Sequence, residues 1–412
     1  MSEATGIRVT VDDVREDRFS RLRLIKWWSQ ERIEGARVLV VGAGALGNEI
    51  LKNLALLGFR HVLIVDLDQI ECSNLSRSIL FRPDDIGKSK AGTAAQAVKA
   101  ILPDARVHHL DANILYEVGL GVFKWADVIF AGLDNREARL WINRCAWKMK
   151  RPWIDGAIEG INGVARVFLP GQPPCYECTL GETDWAILEK RMSCNLLSHE
   201  EVMSGKVATT PTISSIIAGV QAQEAVKLLH GLPVLAGKGL VFEGLNHTSY
   251  VVEYTANADC MSHETYDNLV SWERKSSETT LHELFEFAQE RLGAKDMVLE
   301  FSREVIHKLV CPTCKHEEEV YLPVGKVGAA RGKCPQDSSM REVVTIHSYT
   351  GREPYGAKKL SELGIPPFDV FAGRSSDGEV QVLLEGDAPD VLGPLATERA
   401  ELWREGNRGN CP

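Results

Sequence analysis

Two hydrophobic textures alternate along the first part of the chain. Short apolar runs, Val38-Leu39-Val40-Val41, His61-Val62-Leu63-Ile64-Val65-Asp66 and one ending at Asp127-Val128-Ile129-Phe130, read as buried strands. Between them, helical spacing runs from the turn after Val41 to about Leu57, from about Lys90 to Ile101, and from Glu137 to Lys150, with a further strand around Pro152-Trp153-Ile154. Strands alternating with helices predict a parallel sheet covered on both faces. Residues 15–35, around Arg18-Phe19-Ser20-Arg21 and Trp27-Trp28, read as helical. The texture changes at Pro170: Gly171 to Cys175 is a loop, and Thr179 to Val207 is polar with no clear period. Thr209-Thr210-Pro211-Thr212 then opens an apolar helix from Ile213 to Leu229. It carries Gln221, Gln223, Glu224 and Lys227, so it is a core helix rather than the roughly 18 to 20 uncharged residues of a membrane span.

A different pattern begins after about Thr265. Thr280-x-x-Glu283 is a capping box, and Leu281, Leu284, Phe285, Ala288 and Leu292 form a helical stripe that stops at Gly293. Short strands are expected near 297–301, 318–322, 343–348, 368–372 and 379–384, with a small helix from Ala357 to Leu363. Residues 270–395 thus read as a separate α+β domain, followed by a charged, flexible tail at 396–412.

Charge and cysteine content narrow the classes. A net charge of −10 argues against sequence-independent nucleic-acid binding, which needs clustered cations. Residues 1–5 show no basic segment leading into an apolar core, so no export signal is visible, and no membrane role is expected. The ten cysteines are then expected as reduced thiols in a cytoplasm, where metal ligation or catalysis is the first question to ask of them.

The sharpest motif is Gly42-Ala43-Gly44-Ala45-Leu46-Gly47, closing the first strand and opening a helix. Such a turn lets the backbone approach a polyanion. Alone it would suit NAD or FAD. The residues after it point to ATP. Asp66 closes the second strand, with Asp68 beside it, where a carboxylate meets a ribose. Asn74, Arg77 and Lys90 can orient and neutralise a triphosphate, and Asp134, followed by Asn135, can hold the accompanying magnesium.

The stretch from Gly42 through Asn48-Glu49 and Leu51-Lys52-Asn53-Leu54-Ala55, then Ser73-Asn74-Leu75-Ser76-Arg77, Phe81 to Lys90 and Leu133-Asp134-Asn135-x-x-Ala138-Arg139, resembles the ubiquitin-activating enzyme superfamily, which includes the bacterial ThiF-type adenylyltransferases. The resemblance spans roughly residues 15–265. It implies a Rossmann-like adenylation domain over 1–268, with a catalytic-cysteine and crossover segment inserted at about 179–210. It implies that ATP activates the C-terminal glycine of a ubiquitin-like partner as an acyl-adenylate. Carried over by position, Asp66 holds the ribose, Asn74, Arg77 and Lys90 stabilise the phosphates, and Asp134 holds magnesium. Arg21 matches an arginine that reaches into a partner protomer's site, which implies a homodimer.

Cys175-x-x-Cys178 is one zinc half-site. Relatives complete it with two further cysteines. Here that place holds Cys260 and His263, predicting a closed site of three Cys and one His. In the C-terminal domain Cys311-x-x-Cys314 and Cys334 resemble zinc knuckles, with Asp337 or His316 as the fourth ligand. Cys194 lies in the irregular segment, near Lys190, Arg191 and His199, which favour thiolate. In relatives the catalytic cysteine falls in this region, so Cys194 is the candidate thioester nucleophile. Cys72 abuts the nucleotide loops, Cys145 reads as core and Cys411 lies in the tail.

The leading expectation is an ATP-dependent activating enzyme that passes a ubiquitin-like protein, through a thioester, to a conjugating enzyme. The resemblance implies that the small C-terminal domain, whose size and mixed content suit the role, recruits that enzyme. The alternative is an adenylyltransferase activating a sulfur carrier for cofactor synthesis. A silent scaffold subunit or a nicotinamide oxidoreductase fits the retained residues less well.

Overall fold

The computed structural model describes residues 16–193 and 208–396. An eight-stranded sheet contains β1 (Arg37–Val41), β2 (His61–Val65), β3 (Arg106–Leu110), β4 (Val128–Ala131), β5 (Trp153–Glu159), β6 (Asn162–Phe168), β7 (Lys238–Glu243) and β8 (Thr248–Glu253). Their order is β3-β2-β1-β4-β5-β6-β7-β8. The first five pair in parallel, and β5 to β8 pair antiparallel. Among the described residues, the helices of this half are α1 (Gln30–Gly35), α2 (Ala45–Leu57), α3 (Lys90–Ile101), α4 (Leu120–Trp125), α5 (Arg136–Lys148), α6 (Glu182–Ser193) and α7 (Pro211–Leu229).

The unbroken apolar runs have a direct cause. Successive side chains of a strand point to opposite faces, and here both faces are covered. Val38 and Val40 enter one core, with Ile50, Leu54, Ile213 and Ile217. Leu39 and Val41 enter the other, with Phe123, Ile129 and Ile142. Val62 and Ile64 are likewise divided from Leu63 and Val65.

The second sheet has β9 (Leu269–Trp272), β10 (Val298–Val310), β11 (Glu317–Pro323), β12 (Glu342–Tyr349), β13 (Val370–Ser375) and β14 (Gly378–Leu384), in the order β11-β10-β13-β14-β9 with β12 also on β10. Its helices are α8 (Leu281–Leu292), α9 (Ala329–Gly332) and α10 (Ala388–Leu392). The capping box forms as its spacing predicts: the Glu283 amide donates to Thr280 Oγ1 at 3.2 Å, and the Thr280 amide to Glu283 Oε2 at 2.7 Å. Gly293 ends α8 in the left-handed region.

The two sheets share part of one hydrophobic core. Phe368, Val370, Leu383 and Leu392 lie in the same core as Leu39, Phe123 and Ile129. A buried Arg303–Asp369 pair stands at the seam, with the Leu120 amide donating to Asp369 Oδ1 at 2.8 Å.

Three local expectations are corrected. Residues 16–35 give only a 3₁₀ turn at Leu22–Leu24 and the six-residue α1, because this segment follows the surface, anchored by Phe19 against Gly58 and by the Ser29 amide on His230. The aperiodic stretch after Thr179 contains α6, which inserts Leu188 into a core. The expected helix at 357–363 is two single 3₁₀ turns, Pro354–Ala357 and Leu360–Leu363, separated by the extended Lys358 and Lys359. No described helix is long and apolar enough to cross a membrane.

Candidate functional site

The strand order reverses direction at β1, with β2 on one side and β4 on the other. Open α/β sheets bind ligands at the carboxyl ends of strands at such a point. The loops after β1, β2 and β4 carry the glycine motif, Asp66 and Asp134.

The glycines serve different ends. Gly42 sits at φ 92°, and a Cβ there would meet the Gly132 carbonyl oxygen at 2.6 Å, so the β1 and β4 loops touch. A Cβ on Gly47 would stand 1.9 Å from the Gly42 oxygen. Gly44 is the reverse case: its Cβ would meet nothing within 4 Å, so the backbone there faces open space at the start of α2.

Asp66 is built into the turn. Its Oδ2 accepts from the Ala43 amide at 2.6 Å, and Oδ1 from the Asp68 amide at 2.8 Å. Burial pushes its carboxyl above the ordinary range, against the pull of Lys90 and of those two amides. Asp68 is more open, with a side chain 56% exposed, and it holds Lys90 Nζ at 2.7 Å. Lys90, expected on phosphate, is therefore ion-paired to Asp68 in this structure. Asn74 is buried, and its Oδ1 accepts the Glu71 amide at 2.9 Å. The half-buried Arg77 donates through Nη1 to the Ser73 carbonyl at 2.8 Å. Asp134 is exposed at the loop before α5, and Asn135 caps that helix by accepting the Ala138 amide at 2.7 Å. The Asn135 side-chain carbonyl is thus committed to the helix. Arg21 is exposed at the start of its 3₁₀ turn. Cys194 lies outside the described residues.

A supporting layer was not apparent from the sequence. Asn48 is fully buried in the first turn of α2. Its Nδ2 donates to the Ala43 carbonyl at 2.6 Å and its Oδ1 accepts the Leu80 amide at 2.8 Å, tying the glycine turn to the segment after Arg77. An amide one turn into an apolar helix was the available signal. Arg139 donates from Nε to Asp155 at 2.9 Å and through Nη2 to the Leu133 and Gly156 carbonyls, which steadies the loop bearing Asp134. Gln221 of α7 bridges the Ala131 and Ile154 carbonyls, each at 3.1 Å.

Two clusters elsewhere have the chemistry to hold a metal ion. Cys175, Cys178, Cys260 and His263 bring one ligand atom each within 4.8 Å of all the others. Cys175 Sγ lies 3.7 Å from Cys178 Sγ and 3.6 Å from Cys260 Sγ, and His263 Nε2 lies 3.4 Å from Cys178 Sγ. Sulfurs about 2.3 Å from a tetrahedral centre stand at nearly these separations. Trp147 stacks on His263 with ring centroids 4.4 Å apart. The second cluster is Cys311, Cys314, Cys334 and Asp337, with Asp337 rather than His316 as the fourth group. Cys314 and Cys334 sulfurs are 3.5 Å apart, and Ser339 Oγ orients Asp337 at 2.6 Å.

The ThiF family model matches residues 17–262. The chain is 41% identical over 150 residues to the SUMO-activating enzyme subunit uba-2 of Caenorhabditis elegans, covering 36% of this chain and 26% of that one. It is 43% identical over 157 residues to the Nedd8-activating enzyme E1 catalytic subunit of Drosophila melanogaster, covering 35% of each. The aligned part spans only 26–35% of the length of the curated relatives it matches. Among solved structures, Escherichia coli MccB with ATP is similar at a TM-score of 0.51 and 21% identity, covering 61% of this chain and 75% of that one. At that identity the likeness is one of fold. The family match covers more than half of the sequence and takes in the glycine turn, Asp66, Lys90, Asp134 and the first cysteine pair. This chain belongs to the ThiF family.

Proposed function

We propose that this chain uses ATP to adenylate the C-terminal glycine of a ubiquitin-like protein. The observation that supports this most is the association of the glycine turn with the Asp66, Asp68 and Lys90 group on one side and the Asp134 loop on the other. The partner's carboxylate attacks the α-phosphorus of ATP, and pyrophosphate leaves. Lys90, Arg77 and Asn74 stabilise the charge that builds on the phosphoryl oxygens, which is the main catalytic work in such a transfer. For Lys90 this means leaving Asp68 for the triphosphate. Magnesium, bound by Asp134, would neutralise the departing pyrophosphate.

The acyl group then passes to the Cys194 thiol, displacing AMP, and on to the cysteine of a conjugating enzyme. Residues 1–268 form the adenylation domain in this reading, with 179–210 as its catalytic-cysteine segment, and 270–395 receive the conjugating enzyme. Arg21 serves the site of a second protomer in a homodimer. The test is pyrophosphate–ATP exchange with candidate small proteins ending in glycine. Exchange is expected only with the cognate partner, and a reductant-sensitive adduct should vanish in Cys194→Ala while exchange persists. An adduct surviving that substitution would move the nucleophile elsewhere, and a thiocarboxylated partner would assign the chain to sulfur transfer.

Zinc is the metal proposed for both clusters, each closed by four protein ligands and structural in role. Metal analysis of the purified chain should find two zinc ions, and one in a Cys260→Ser His263→Ala variant. Unchanged zinc in that variant would remove the first site from the proposal.

A further inference from the structure

The two halves of the chain meet on the loop between β3 and α4, and the same loop touches the first turn of α5. From the second half, Arg303 donates through Nη1 to the Leu115 carbonyl and through Nη2 to the Val118 carbonyl, both at 2.9 Å. Lys326 pairs with Glu117. Gly325, next to Lys326 in the chain, packs against the ring of Tyr116. A Cβ on Gly325 would stand 2.0 Å from that ring, so the position demands glycine for space. The Tyr116 hydroxyl in turn lies 3.5 Å from Glu137 Oε1. Glu137 is the second residue of α5, one turn beyond Asp134, on the helix that Asn135 caps. Arg136, next to it, holds Asp184 of α6 at 2.7 Å. Two side chains, Tyr116 and Glu137, thus separate the second half from the helix start beside Asp134.

We propose that Tyr116 is a positioning residue: pressed by Gly325, it sets the seat of the first turn of α5 and hence of the loop that carries Asp134. The C-terminal half is then part of the outer support of the nucleotide site rather than an appendage to it. The inference rests on Asp134 as the magnesium-binding residue, and its test separates the two ideas.

Gly325→Ala in the full chain drives a methyl into the Tyr116 ring. In pyrophosphate exchange titrated with Mg2+ at fixed ATP, the midpoint is expected to rise by about two- to thirty-fold, the range of coupling changes between distant groups. Amides in the first turn of α5 should exchange hydrogen faster. Val380→Ala is the control, since Val380 is buried in the core of the second sheet around α8. It should lower the melting temperature and leave both readouts where they were. Tyr116→Phe keeps the ring, removes the hydroxyl and should shift both readouts in the same direction by less. If Gly325→Ala melts lower but moves neither the Mg2+ midpoint nor the α5 amides, the seam is only structural and the proposal fails. Should Gly325→Ala not fold, unmoved readouts in Tyr116→Phe would overturn the proposal in its place. A Mg2+ titration indifferent to Asp134→Asn would instead overturn the role of Asp134, and the amide readout would still decide whether Tyr116 seats α5.

Discussion

Arg139→Ala is expected to cost about 3–5 kcal/mol of folding stability, the usual result of leaving one charge of a buried pair without its partner. Asp155 lies in β5 with none of its side chain exposed, and Arg139 is nearly as buried. Asp155 Oδ1 accepts Arg139 Nε at 2.9 Å, while Oδ2 accepts Arg166 Nε at 3.0 Å. Burial alone would raise this carboxyl, but the two guanidiniums outweigh it and hold it below its ordinary value of 3.8. Its ionised form therefore stabilises the native state fully above that value, and the contribution fades as pH falls through the lower folded value. In Arg139→Ala the carboxylate keeps only Arg166, and two carbonyls, Leu133 and Gly156, lose a donor. Urea midpoints at neutral pH should fall sharply. The gap from the parent should narrow in acid, where the variant can bury a neutral Asp155 and the parent gives up its ion pair. Arg139→Lys should recover only part, because one ammonium cannot span three acceptors with the fixed fork of a guanidinium. A variant with the parent's midpoint at neutral pH would show that the triad carries no such energy.

How much of this was legible beforehand depended on whether a residue's partners lie near it in sequence. β1, β2 and β4 were readable because nearly every residue in them is apolar, as a strand buried on both faces requires. β3 was not: His108 and His109 sit at a half-covered edge and break the apolar run. The α8 capping box was readable because its two halves are three residues apart. By contrast, the pairing of Lys90 with Asp68 is hidden because the two lie 22 residues apart in sequence. Arg139 and Arg303 were invisible as structural cations for the same reason, their acceptors being set by strand order and by the meeting of the two sheets. Cysteine spacing gave the half-sites of both metal clusters, while the choice of Asp337 over His316 needed the chain traced through β11 and α9. The polar stretch after Thr179 hid α6 because its sequence shows no helical period, although Trp185 and Leu188 pack against a core.

Asp134→Asn should slow pyrophosphate exchange by about 10²- to 10³-fold, the loss seen when one preorganised group that stabilises developing charge is removed. It should leave stability within about 0.5 kcal/mol, as for an exposed substitution away from buried networks. The contrast follows from how the loop is built. Asp134 is exposed, and the turn beneath it is held by others: Arg139 takes the Leu133 carbonyl, Gly132 meets Gly42, and Asn135 caps α5. Asparagine keeps the size of the side chain and removes its charge, so the loop should hold its shape while binding a divalent cation poorly. The same change at Asp66 would be ambiguous, because Asp66 also anchors the Ala43 and Asp68 amides, and a loss of exchange there could be a loss of the turn itself. Raising Mg2+ should therefore recover part of the exchange in Asp134→Asn and little of it in Asp66→Asn. If Asp134→Asn melts with the parent and exchanges within a few-fold of it at every Mg2+ concentration, the cation is held by other groups and the charge on this loop serves something other than the triphosphate.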